Sequence, residues 1–252
     1  MSRRREPRGY ATEPREGQSP SARKRSATRH PAGRMAPEGK TLDRLKTVFG
    51  LADAAWTGGA SLSVDGEIAC RAGCFGCCVG LFEVSLPEAA LALAGFSALS
   101  GEEGAAVLER SRRIVATSGR LFPGDPSGGI LDPDRTEPAD DRFFEAVADV
   151  ACPMLELPAG RCRIYAFRPV TCRTYGLAWK KGTEPVHPSC GLNFVAGGAA
   201  RQAETGIDLD HLGDGLAEIA RTAEAVGISP AAETTLAHAV TGAAFRKLRG
   251  ED

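Results

Sequence analysis

Residues 70–78 read Cys70-Arg71-Ala72-Gly73-Cys74-Phe75-Gly76-Cys77-Cys78, four cysteines in nine positions. A C-x2-C turn lets two sulfurs converge on one ion, and Gly73 and Gly76 are expected to permit the tight backbone this needs. Cys77 and Cys78 are neighbours, and adjacent side chains in extended structure point to opposite faces. They are therefore expected to face two sites, or one of them to stand as an unliganded thiol. A second group, Cys152, Cys162, Cys172 and Cys190, spans 39 residues. Clustered cysteines in a reducing cytosol more often bind metal or do redox work than form structural bridges. The fold class that follows is α+β: a small sheet-and-loop centre ligated by cysteine and packed with several α-helices.

The flanks of the first group supply those helices. Leu42, Leu45, Val48, Phe49 and Ala52 recur at helical spacing, which predicts a helix from an N-cap at Thr41 through Trp56, stopped by Gly58-Gly59. Asp65-Gly66 predicts a short hairpin or an extended approach to Cys70. Val79 to Val84 reads as a short buried strand. Ser85-Leu-Pro-Glu88 and Ser100-Gly-Glu-Glu103 each have the form of a capping box and open helices to about Leu99 and Thr117. Residues 119–141, with Pro123, Pro126, Pro133 and Pro138, read as a long loop. Leu155 to Leu157 and Cys162 to Tyr165 read as a hairpin turning at Ala159-Gly160. Leu212, Leu216, Ile219, Ala223 and Val226 mark an amphipathic helix. Ser229-Pro230 is expected to start another that carries Leu236, Val240, Phe245 and Leu248.

The chain has 252 residues, with 31 Lys+Arg against 32 Asp+Glu, a formal charge of −1 that hides an asymmetry. Residues 1–40 carry +7 and the remainder −8. The basic stretch has almost no large apolar residue, so it is expected to be a disordered tail, with Met35 a conceivable start. The expected organisation is this tail, a cysteine-cluster domain over 41–195 and a helical extension over 196–252. No stretch reaches the roughly 18–20 apolar residues of a membrane span. No signal-peptide core is present, and the protein is expected to be cytoplasmic.

From Leu157 to Thr183 six cations (Arg161, Arg163, Arg168, Arg173, Lys180 and Lys181) occur with no acid. Nearby cations lower cysteine pKa, and thiolates are the metal ligands. The strip is read as counter-charge to sulfur, against the alternative of a solvated basic strand edge. Arg168 and Arg173 would otherwise bind an anionic cofactor or substrate. The strip lacks the interleaved aromatics of a stacking platform, so specific nucleic-acid binding is not expected. The basic tail could hold phosphates non-specifically, and a protein partner stays open.

Cys70, Cys74, Cys77 and Cys78, then Cys152-Pro153 with Leu155, then Cys162, Ile164-Tyr165, Arg168-Pro169, Cys172-Arg173 and Tyr175 follow one another in an order that resembles the YkgJ-type cysteine-cluster (CxxCC) family. The resemblance covers roughly residues 70–190 and implies chelation of zinc or iron. A related cysteine domain occurs in flagellin lysine N-methylases, which implies an iron–sulfur enzyme modifying protein lysines as the alternative. The candidate metal ligands are Cys70, Cys74, Cys77, Cys78, Cys152, Cys162, Cys172 and Cys190. Eight thiolates divide into four and four, which suits two Zn2+ ions or one zinc and one [4Fe–4S] cluster. A single cluster with several free cysteines also remains open. All-sulfur ligation argues against magnesium or calcium. His187 is a further candidate ligand that could replace a cysteine; His211 and His238 lie away from the motif. No glycine-rich phosphate loop, catalytic triad or paired carboxylate accompanies the cysteines.

Overall fold

The computed structural model describes residues 39–196, 198–210 and 232–249, with 212, 213, 215, 217, 220 and 221. In chain order the elements are helix α1 (Gly39–Ser61), strand β1 (Val84–Ser85), helices α2 (Leu86–Ser97) and α3 (Gly101–Ser118), strands β2 (Gly124–Asp125) and β3 (Ile130–Leu131), and helix α4 (Glu137–Ala146). There follow strands β4 (Leu155–Glu156) and β5 (Arg161–Cys162), helix α5 (Val170–Thr174), strands β6 (Trp179–Lys181) and β7 (Glu184–His187), and helix α6 (Gly198–Thr205). Strands β8 (Ile207–Asp208) and β9 (Glu233–Thr234) and helix α7 (Leu236–Thr241) follow among the described residues. The class is α+β, with sheets of only two or three strands. No helix among the described residues is long and apolar enough to cross a membrane.

The apolar periodicity of α1 is used as expected. Leu45, Val48, Phe49 and Ala52 are buried and pack on Leu91 of α2 and Val170 of α5. The helix differs at its ends: it begins at Gly39, so Thr41 is no cap, and it runs through Gly58-Gly59 to Ser61. Gly59 does not stop the helix but allows a close approach. A Cβ there would overlap the Thr205 carbonyl and lie 2.7 Å from Leu177 Cδ1. That contact offsets the roughly 0.5–1 kcal/mol that glycine costs inside a helix.

Asp65-Gly66 makes a turn, with the Glu67 N–H donating to the Val64 carbonyl at 3.1 Å, but no strands flank it. The expected strand over Val79–Val84 is reduced to an isolated bridge, Val79 to Ala151, and to the first residue of β1. Both caps form, one of them altered. Ser100 and Glu103 complete a reciprocal box. Ser85 Oγ accepts from the Glu88 N–H and donates to Glu88 Oε2 at 2.6 Å. The other carboxylate oxygen, Oε1, instead accepts the Val170 N–H at 2.9 Å. Glu88 thus helps start two helices: its own N–H is satisfied by Ser85 at α2, and its carboxylate satisfies the free Val170 N–H at α5.

Residues 119–141 are not one loop. They hold the β2–β3 hairpin and the start of α4, whose first turn contains Pro138. Phe122, Leu131, Phe143 and Val147 give this segment a small core of its own. At the far end, Leu212 is buried with Leu177, Phe194 and Ile207. Leu216, Ile219, Ala223, Val226 and Ser229-Pro230 lie outside the described residues. The helix that carries Leu236 and Val240 starts at Leu236, because Glu233–Thr234 is drawn into a strand beside β1. Leu236, Val240 and Phe245 still reach the main core, with Val84, Leu93, Val107, Met154 and Ile164.

His238 in α7 is fully buried, stacked on Phe122 at 3.9 Å, with Nδ1 2.9 Å from Thr235 Oγ1 and Nε2 unpartnered. Burial pushes its pKa down to about 4, from an ordinary 6.5. The unfolded chain therefore takes up the proton first. Stability is complete above pH 6.5 and falls as pH drops toward 4, by about 3 kcal/mol from this group. Urea unfolding of wild type and His238→Leu across that range should show the gap between them closing as pH falls. A gap independent of pH would contradict this assignment.

Candidate metal centre

The backbone brings the two cysteine stretches together. The Cys152 N–H donates to the Cys78 carbonyl at 2.7 Å, and the Gly80 N–H to the Val150 carbonyl at 2.9 Å. Gly76–Cys78 forms one tight 3-10 turn, and Gly73 before it has φ +83°, a left-handed value that favours glycine. The expected hairpin is present: Leu155 opposes Cys162 and Glu156 opposes Arg161, with the turn at Gly160. Its tip rests on the first cluster, where a Cβ on Gly160 would lie 2.5 Å from the Gly73 carbonyl. Cys152 and Cys162 pack their inner sides on the main apolar core. Cys172 sits in the middle of α5, whose first N–H is held by Glu88. Further on, the Cys190 N–H donates to the Gly176 carbonyl at 3.2 Å, beside Cys70.

All eight cysteines are unbridged. Cys77, Cys78, Cys152, Cys162 and Cys172 lie close enough for charge on one to act on the others. Cys70 lies within the same reach of Cys74, Cys77 and Cys190. Cys77 therefore stands between two sulfur groups. Among the described residues, no three His, Cys, Asp or Glu side chains converge as they stand on a point where one ion would be held. Cys77 and Cys78, adjacent in the chain, act on each other as neighbouring thiols. Loss of those protons and side-chain rotation are what closing such a site requires.

Burial governs most of these thiols. It drives Cys152 up to about 12 and raises Cys162, Cys172 and Cys70. The expectation that the cationic strip lowers thiol pKa holds only weakly, since Arg168 of the strip acts in that direction on Cys162 and Cys172 but is outweighed by desolvation. Cys77 is the exception. The Cys78 thiol donates to its sulfur and brings it down to about 6, with Arg168 a smaller cause. Cys78 is correspondingly raised.

The strip that lacks acids in sequence acquires them in space. Arg163 meets Glu103 at 2.9 Å and Arg161 meets Glu156 at 3.1 Å. Asp53 on α1 receives both Arg173 at 2.5 Å and Arg168 at 3.3 Å. Arg168 also lies over the Tyr165 ring at 3.8 Å, and its buried Nε has no hydrogen-bond partner. Arg173 is the better satisfied of the two: it donates to the Arg168 and Ala166 carbonyls and covers the Phe49 ring at 4.4 Å. His187 lies with its ring 5.2 Å from Trp179 and Nδ1 2.8 Å from the Pro188 carbonyl. His211 lies outside the described residues.

Sequence reading missed Asp53, Glu88, Asn193 and Gly176 as parts of this region. Asp53 and Glu88 carry no local signal, because their partners are 82 to 120 residues away. Asn193 follows Cys190 by three positions, and that proximity to a candidate ligand is the cue available.

The side chains gathered here from both stretches offer sulfur, a donor that suits a thiophilic metal and not a hard cation. Residues 69–191 match a family model, CxxCxxCC, described as "Putative zinc- or iron-chelating domain". No curated protein and no solved structure matches the chain. Over residues 69–191, the chain is thus similar to the CxxCxxCC cysteine-cluster family.

Proposed function

We propose that the protein binds zinc or iron through two thiolate sets, Cys78, Cys152, Cys162 and Cys172 in one and Cys70, Cys74, Cys77 and Cys190 in the other. What carries this reading is the hydrogen bond from Cys152 to the Cys78 carbonyl, which joins stretches 74 residues apart and gathers sulfurs from both around it. The adjacent cysteines Cys77 and Cys78 then serve different sets, as neighbouring side chains can. Raised thiol pKa values mean that metal binding must expel protons, so affinity falls steeply at low pH. A set of four thiolates leaves no open coordination position; such a metal contributes folding energy and is held or carried, not used for chemistry at a substrate.

Anaerobic purification followed by elemental analysis and visible absorbance tests this directly. The expected result is about two equivalents of zinc, or zinc plus an iron–sulfur chromophore. Protein that holds neither metal after purification, and takes up neither on addition, would overturn the reading.

A further inference from the structure

Asn193 lies two residues beyond the matched family segment, is 2% exposed, and uses its amide completely. Its Oδ1 accepts the Ala69 N–H at 2.8 Å. Its Nδ2 donates to the Gly176 carbonyl at 2.7 Å and approaches Cys70 Sγ at 3.4 Å. The amide is fixed from behind as well, since the Asn193 N–H donates to the Cys190 carbonyl at 2.8 Å. One side chain thus touches the residue before Cys70, the Cys70 sulfur and the carbonyl that also receives the Cys190 N–H.

Gly176 makes the approach possible. Its φ is +109°, and a Cβ there would stand 3.1 Å from Cys70 Sγ and 3.3 Å from Asn193 Nδ2. Trp56 Nε1 anchors the preceding carbonyl, that of Tyr175, at 3.1 Å. An N–H aimed at a thiolate favours its charged form and fixes its direction, as outer-shell partners do for metal ligands.

We infer that Asn193 is a positioning residue for a metal-bound Cys70 thiolate, holding the sulfur toward Cys74 and Cys190 by an N–H···S hydrogen bond. The inference rests on the metal-binding reading above and adds to it a residue that is not itself a ligand. Removal of the amide should weaken metal at the Cys70 set while leaving the number of ions bound and the other set unchanged.

The test is anaerobic titration of Co2+ into the metal-free full-length chain, in competition with a chelator, following sulfur-to-cobalt charge-transfer absorption. Asn193→Ala is expected to weaken one of the bound ions by about 10-fold or more. In a Cys70→Ser background the same substitution should cost nothing further, because the sulfur through which it acts is gone. A merely structural asparagine would instead lower affinity equally in both backgrounds. Asn193→Asp keeps the acceptor for the Ala69 N–H but removes the N–H donor, and it should show the same loss; it carries the comparison if the alanine variant does not fold. Equal cobalt affinity in wild type and these variants, or an additive loss with Cys70→Ser, would overturn the inference. Failure of the wild-type chain to bind cobalt at all would instead overturn the metal-binding reading.

Discussion

Cys172→Ser is expected to lose one of two metal equivalents and to lower the midpoint of thermal unfolding by roughly 10 °C or more. Cys172 sits in a five-residue helix, far too short to hold itself together in water. Besides Val170, buried on α1, the cap from Glu88 and the Arg173–Asp53 pair, α5 is fixed by the sulfur group it faces. Structural zinc contributes apparent binding energies on the order of 10–16 kcal/mol in small domains, comparable with the whole stability of a protein. Recovering only about 4 kcal/mol of that as net stability gives the shift stated, at roughly 2–4 °C per kcal/mol for a chain of this size. Strong chelation of wild type should reproduce the shift. Calorimetry paired with elemental analysis checks both halves, and a Cys172→Ser protein with full metal content would remove Cys172 from the ligand set.

Arg173→Ala is expected to destabilise the protein by about 3 kcal/mol whether or not metal is present. Its guanidinium is 6% exposed, and its loss strands the Arg168 and Ala166 carbonyls as well as one side of Asp53. Asp53 is itself 45% exposed and can rehydrate, which keeps the cost near the lower end for a broken buried pair. Arg173→Lys should recover little, because a single ammonium cannot reach a carboxylate and two carbonyls set around a planar fork. Urea midpoints of the three proteins, measured with metal saturating and with metal stripped, decide between roles. A loss that vanishes in the stripped protein would make Arg173 counter-charge to sulfur rather than a clamp between α1 and α5.

Much of the scaffold can be read directly from local patterns. The i, i+3, i+4 run of α1, the Ser100–Glu103 box and the Ala159-Gly160 hairpin are all decided by residues within a few positions of one another, and each forms. The cysteine pattern likewise marks the likeness to the CxxCxxCC family without any structure. What escapes are features set by distant partners. Gly58-Gly59 reads as a stop until Thr205 arrives against it. Glu233–Thr234 reads as helix until Val84–Ser85 offers a ladder. The acid-free strip reads as bare positive charge until α1 and α3 bring Asp53 and Glu103 to it. The thiols of Cys70, Cys152, Cys162 and Cys172 are raised by burial, which no spacing of cysteines reveals.

X-ray absorption at the zinc and iron edges of the anaerobically purified protein tests most directly whether sulfurs from both stretches surround bound metal. The account predicts a first shell of about four sulfurs per metal near 2.3 Å, and in Cys74→Ser and in Cys172→Ser the loss of one metal with the remaining one still held by about four sulfurs. A first shell dominated by oxygen or nitrogen, or full metal content with an unchanged shell in both variants, would contradict it.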